Sequence, residues 1–169
     1  MTPEQKQENF KLAEKIIAEQ NFRSALVTGV LVMFLCVGVW AIAAALTARH
    51  LGLMAIVLGA AAGYVVQYFG KGVEVRFAVL AAALAVSGML LGNLAAAILM
   101  EHFVFGATSK EIVSQLGSGV LVRRLLADID LVSIAFWIMS ISAAAYIANR
   151  RLNPIEALAL FAYRYRDQD

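Results

Sequence analysis

Four long apolar segments alternate with polar ones along this 169-residue chain. Each approaches the ~20 residues that a helix needs to cross the hydrocarbon core of a bilayer. The composition, 62% hydrophobic and 15% charged, also lies outside the usual range of soluble domains. The pattern therefore predicts an all-α polytopic membrane protein, a four-transmembrane-helix bundle in which residues 1–169 form one membrane domain. The predicted spans are residues 24–48, 51–69, 77–100 and 129–148.

Polar or amphipathic helices are predicted at both ends of the chain. Residues 1–23 give a polar helix with a narrow apolar stripe, which suits a place on the membrane surface or against the protein's own cytoplasmic face. The alternative is a solvated helical extension. In the tail, 153–169, Asn153 and Pro154 begin a helix that is apolar around most of its circumference. We expect the tail helix to lie on the bilayer or on a partner.

The connection between the third and fourth spans, residues 101–128, is the longest segment between two spans, and we expect it to face outward. Thr108 and Glu111 have the spacing of a capping box, which begins a short amphipathic helix. A Gly-Ser-Gly sequence at 117–119 ends that helix. Residues 120–126 resume a helix that can run on through Asp130 into the fourth span.

Glycines form a stripe along the second span. The stripe consists of Gly52, Gly59, Gly63 and Gly70. At 100° per residue, these positions lie within about 40° of one another on a helix. Small residues let helix backbones approach closely in a bilayer, so the stripe predicts a packing surface. The third span has a second small-residue face, made of Ala81, Ala85, Gly88, Gly92 and Ala95. The simplest packing places the two faces against each other.

Basic residues are distributed unevenly between the two sides of the predicted membrane. Of the 14 lysines and arginines, ten lie in the amino-terminal segment, the connection between the second and third spans and the tail. The positive-inside rule therefore predicts that both termini are cytoplasmic. The same bias accounts for Lys71, Arg76, Arg150 and Arg151, which are also candidates for contacts with lipid head groups. The basic residues flank spans and form no stripe, so no nucleic-acid partner is expected.

A series of residues in the first three spans resembles a known family. The series comprises Trp40-Ala41-Ile42, Thr47, Gly52-Leu53-Met54-Ala55-Ile56, Gly59, Gly63, Gly70-Lys71-Gly72, Phe77 and Gly88-Met89-Leu90-Leu91-Gly92-Asn93. It is similar to that of an uncharacterised family of small four-span bacterial inner-membrane proteins with glycine-rich second and third spans. The resemblance implies a multi-pass protein of the bacterial inner membrane. It implies no activity.

The interior of the predicted spans contains no Asp, Glu, His, Lys or Arg. Membrane enzymes and ion-coupled transporters usually need such residues there, so we expect no cofactor and no enzymatic activity. The largest polar side chains at membrane depth are those of Gln67 and Asn93. Single amides of this kind most often form hydrogen bonds between helices. An amide that faces lipid would be costly, so we expect Asn93 to bond to another helix, to backbone or to water.

One group of titratable residues is predicted at the outward interface. Its members are His50, Glu101, His102, Asp128 and Asp130, with Arg49 nearby. Histidine and carboxylate groups are zinc ligands, so a metal or small-ligand site is one interpretation. The spacing is not that of a local metal motif, however, and Arg49 would oppose a cation. We favour a polar rim without a metal.

Three classes of function are compatible with these features. The first is a non-enzymatic membrane component, either a scaffold or accessory subunit of a larger complex or a homo-oligomer. In the second, oligomers form a channel or small-solute carrier whose path is lined by Gln67 and Asn93. The third is a membrane enzyme or metal site that uses the outward cluster. If the amides of Gln67 and Asn93 form hydrogen bonds between helices, the first class is favoured. If they line a continuous water-filled path, the second class is favoured.

Overall fold

The computed structural model describes residues 3–48, 52–127 and 130–165. Nearly all of these residues are helical, which confirms the predicted all-α class. The helices are α1 (Pro3–Ala18), α2 (Phe22–Thr47), α3 (Leu53–Gly70), α4 (Val75–Phe103), α5 (Ser109–Gly117), α6 (Val120–Ala127), α7 (Leu131–Ala148) and α8 (Pro154–Arg164). Four of them, α2, α3, α4 and α7, are long and apolar enough to cross a membrane. The chain thus has the architecture of an integral membrane protein.

Capping side chains set the helix ends in the connection between α4 and α7. The Glu111 carboxylate accepts the Thr108 backbone N–H at 2.7 Å, which completes the predicted capping box of α5. Asp130 has an extended backbone and accepts the Ser133 backbone N–H at 2.8 Å. A new helix therefore begins after Asp130, and α6 does not run through this residue into the fourth span.

The central pair of the bundle is α3 and α4. These helices pack against each other, and both also contact α2 on one side and α7 on the other. Within the described residues, α2 and α7 do not touch. Large buried side chains, among them Leu58, Val66 and Met89, fill the centre. Viewed along the spans, α3 and α4 are therefore in contact at the centre, and α2 and α7 lie on opposite sides of this pair.

The glycines at the centre of α3 face the fourth span, so the partner we predicted for the stripe is wrong. A Cβ atom added at Gly63 would lie 2.7 Å from the carbonyl oxygen of Ala144, and one added at Gly59 would overlap Ser140. In both cases the obstructing atoms include backbone atoms of α7. Only a residue without a side chain allows the two helices to come this close.

The glycines of α4 make room for large side chains instead. A Cβ atom added at Gly88 would lie 2.7 Å from a methyl carbon of Leu58, on α3. One added at Gly92 would lie 2.6 Å from the indole ring of Trp40, on α2. Small residues of α4 therefore meet large residues of two neighbouring helices, and the two glycine faces do not meet each other.

The ends of the α3 stripe and the alanines of α4 complete this packing. Gly52 lies against the ring of Phe136, and Gly70 lies against Phe77 and Ala25. The alanines of the predicted α4 face are Ala81 and Ala85, which are fully buried, and Ala95, which is half-buried. Each glycine of the stripe thus has a different neighbour, and none of these neighbours is a glycine.

The two terminal helices pack against each other. Ala13 and Ile16 of α1 and Ala159 of α8 are buried. The rings of Phe10 and Tyr163 meet edge to face, with centroids 6.2 Å apart. One side of each amphipathic helix is therefore covered by the protein itself, which is one of the two places expected for α1.

We expect Gly63→Leu to destabilise the protein and Gly38→Leu to be tolerated. The leucine at position 63 would force α3 and α7 apart, and overpacking of this kind typically costs about 1–3 kcal/mol. At Gly38, on α2, an added Cβ atom meets nothing within 4 Å. Thermal denaturation in mild detergent, followed by size-exclusion chromatography, should show a lower midpoint only for Gly63→Leu. Equal midpoints would contradict the packing role of Gly63.

Candidate functional site

The end of the bundle where α4 ends and α7 begins contains part of the predicted histidine and acid group. His50 and Asp128 lie outside the described residues. The Nδ1 atom of His102 lies 3.0 Å from the carbonyl oxygen of Ala107, in the turn that follows α4. Glu101 is half-buried in the last turn of α4, and its backbone carbonyl accepts the Ala107 N–H at 2.9 Å. These contacts close the turn at the end of α4.

Asp130 serves as the N-cap of α7. Two hydrogen bonds from Ser133 hold the pKa of the Asp130 carboxyl below its usual value. The bond from the Ser133 side chain has the larger effect, and the bond from its backbone N–H has the smaller. In the part of the chain that the structure describes, no group of three or more His, Cys, Asp and Glu residues is placed to hold a metal ion. The contacts of His102 and Asp130 are those of helix ends.

Two polar side chains join α3 to α7. The fully buried Ser140 hydroxyl donates to the carbonyl oxygen of Ala55 at 2.6 Å. The Gln67 amide donates to the carbonyl oxygen of Asn149 at 2.8 Å. Both bonds link different helices, as expected for polar groups at membrane depth.

The contacts between α3 and α7 follow a regular spacing, and we call them the α3–α7 seam. On α3 the seam consists of Ala55, Gly59, Gly63 and Gln67, which are four residues apart and so lie on one face. On α7 and its C-cap it consists of Ser140, Ala144, Ile147 and Asn149. Hydrogen bonds lie at both ends of the seam, and close backbone approach lies between them.

Asn93 has one of the partners expected for it, a backbone carbonyl, and this carbonyl belongs to its own helix. Its side-chain amide donates to the carbonyl oxygen of Met89 at 2.9 Å, one turn earlier in the same helix. Asn93 is half-buried. This bond occupies an amide hydrogen without linking α4 to a neighbour, so Asn93 contributes less to packing than the sequence suggested.

Arg150 links three parts of the chain at the opposite end of the bundle. Its guanidinium forms ion pairs with Glu19 at 3.0 Å and with Glu156 at 2.8 Å. Its backbone N–H donates to the carbonyl oxygen of Gly72 at 2.8 Å. The residue therefore connects the end of α1, the turn between α3 and α4, and the first turn of α8.

The segment that joins α1 to α2 is tied to the same turn. The Asn21 backbone N–H donates to the carbonyl oxygen of Gly70 at 2.9 Å. The Gln20 side chain accepts the Val73 N–H at 3.4 Å and donates to Glu74 at 3.3 Å. Together with Arg150, these bonds fix both terminal helices at the level where α3 ends.

The four candidates for lipid head-group contacts fall into two pairs. Arg76 is paired with Glu74 at 2.9 Å and lies over the ring of Phe77, and Arg150 has the two ion pairs described above. Lys71 and Arg151 are exposed. Of the four, these two are the better placed to meet a head group.

In the sequence analysis, we assigned no partner helix to Ser140. Its signal was the series Ser140, Ala144 and Ala148, which repeats the four-residue spacing of Gly59 and Gly63. Two small-residue series with the same spacing indicate two helix faces that can approach each other. Comparing spacings, rather than glycine content, would have identified α7 as the partner of α3.

We expect Ser140→Ala to lower the stability of the protein and Ser142→Ala to leave it unchanged. The first change removes a buried hydrogen bond and leaves the Ala55 carbonyl without that donor, whereas Ser142 is exposed on the same helix. Interhelical hydrogen bonds in membranes contribute about 0.6 kcal/mol on average and up to about 1.7 kcal/mol. Reversible unfolding in mixed micelles measures both variants. Equal stabilities would mean that the bond contributes nothing.

Comparison with known proteins adds no relative. No protein-family model, curated protein or solved structure matches the chain. The argument for a function therefore rests on the geometry described above.

Proposed function

We propose that this protein is a non-enzymatic component of its membrane, acting as a scaffold or accessory subunit of a larger complex or as a homo-oligomer. The observation that carries the proposal is that three polar side chains within the spans are hydrogen-bonded to the protein itself. The side chains of Ser140, Gln67 and Asn93 all donate to backbone carbonyl oxygens. Side chains engaged in this way suit packing better than the binding of a solute.

The arrangement of the spans supports the same proposal. A path through a single chain would have to pass between α3 and α4, which pack directly against each other. Leu58 occupies this contact with its methyl groups against Gly88. Transport through one copy would require these helices to separate, and α3 and α7 contain no Asp, Glu, His, Lys or Arg to drive such a change.

Surface that a partner helix can use lies on the outer side of α7. This span is the least buried of the four, and within the described residues the spans that contact it are α3 and α4. Its exposed face includes Leu131, Ile138 and Tyr146. Exposed apolar side chains can meet either lipid or a further helix, so the proposal requires a direct test in the membrane.

Photo-crosslinking in native membranes provides that test. A photoreactive amino acid would replace Val39 of α2, Val79 of α4 or Ile138 of α7, one at a time; all three side chains are exposed. We expect at least one position to yield a specific protein adduct, either a dimer of this chain or a complex with another protein. Lipid adducts alone at all three positions, at native expression, would count against the proposal.

We further propose that the protein lies in the bacterial inner membrane with both termini in the cytoplasm. The proposal is supported by the excess of basic residues at one end of the spans and by the resemblance of the glycine series to bacterial inner-membrane proteins. The alternative orientation would place Arg150 and the terminal helices outside the cytoplasm.

The orientation can be tested with single cysteines in a Cys36→Ala background. A membrane-impermeant maleimide added to intact spheroplasts should label Ser118→Cys and spare Glu8→Cys, because the two positions lie at opposite ends of the spans. Both residues are exposed, so either can react where the reagent reaches it. Labelling of Glu8→Cys alone would reverse the orientation.

A further inference from the structure

Helix α8 carries an apolar stripe that the rest of the described chain leaves uncovered. The α8 stripe consists of Ile155, Leu158, Phe161 and Tyr165, whose exposed fractions are 70%, 58%, 65% and 43%. These residues are three or four positions apart, so they lie along one side of the helix and its C-cap. Ala159 is buried and Tyr163 contacts Phe10 of α1, so the side that faces α1 is a different one.

The α8 stripe is held close to the end of the spans. The Arg150 N–H donates to Gly72, which lies two residues after the end of α3. Helix α8 begins at Pro154, four residues after Arg150. An extended chain covers at most about 3.6 Å per residue, which puts the start of α8 within about 14 Å of this point. The head-group region is about 5–8 Å thick on each side of the bilayer, so the start of α8 lies within reach of it.

The exposed charge beside the α8 stripe is basic. Glu156 is the acid within α8, and its carboxylate is occupied by Arg150 and by the backbone N–H of Asn153. Arg151 and Arg164, one before the helix and one in its last turn, are exposed. Basic residues beside an apolar face are typical of helices that lie on an anionic membrane surface.

We propose that the α8 stripe inserts into the boundary between head groups and acyl chains of the leaflet next to the end of α3, with Arg151 and Arg164 meeting anionic head groups. The rings of Phe161 and Tyr165 lie 4.5 Å apart, and aromatic residues are enriched at this depth. A dimer through this surface alone is disfavoured, because stable interfaces use about 20–30 residues on each side. The inference does not depend on whether the protein is a scaffold.

The test uses the full chain in vesicles of phosphatidylcholine and phosphatidylglycerol. In a Cys36→Ala background, a small fluorophore is attached to Leu158→Cys or, as a matched control, to Lys11→Cys. Lys11 is exposed on α1. Nitroxide-labelled lipids and aqueous iodide are then used as quenchers. We expect the Leu158→Cys label to be blue-shifted and quenched by the lipid nitroxide, and the Lys11→Cys label to be quenched by iodide. Replacing both Arg151 and Arg164 by glutamine should weaken the lipid quenching at position 158.

Two other results would overturn the proposal. Iodide quenching at position 158 equal to that at position 11 would place the stripe in water. Efficient disulfide trapping of Leu158→Cys dimers, unchanged when the protein is diluted with lipid, would identify a second copy as the occupant. The size-exclusion profile of each labelled variant shows whether it has kept its fold, and neither readout depends on the cross-linking partner of the spans.

Discussion

Lipid tails are as apolar as leucine, so a helix in a bilayer gains little free energy from burying apolar side chains against another helix. Close backbone approach and hydrogen bonds matter more, and the α3–α7 seam provides both. Gly59 and Gly63 admit the backbone of α7, and Ser140 binds a carbonyl oxygen beside them. Because α7 has no contact with α2 within the described residues, its position depends on this seam and on its contact with α4.

The fold class could be predicted from the sequence because hydropathy reports directly on the cost of placing a residue in hydrocarbon. Which spans meet could not be predicted in the same way. A glycine shows that something comes close, but its identity depends on what the other helices present. Gly59 meets backbone, whereas Gly92 meets the Trp40 ring. The assumption that glycine faces glycine failed because a glycine also leaves a space that a large side chain can fill.

The polar residues show a similar division. Their closed hydrogen bonds follow from the cost of an unpaired polar group in hydrocarbon, which the sequence already implied. The choice of acceptor depended on three-dimensional detail: Gln67 reaches another helix, and Asn93 reaches only its own. Arg150 was recognised as basic and close to the membrane, but its role in joining α1 to α8 depends on Glu19, which lies 131 residues earlier.

The pairing of α1 with α8 also constrains the order of events during synthesis. Of the helices described, α1 leaves the ribosome first and α8 last, with all four spans between them. The apolar side of α1 therefore stays uncovered while the spans enter the membrane one after another. Its partner, α8, is synthesised only after α7, and Arg150 can then pair with both Glu19 and Glu156. The α1–α8 pair can therefore form only after all four spans have been synthesised, and a chain stalled before α8 would leave Ala13 and Ile16 uncovered.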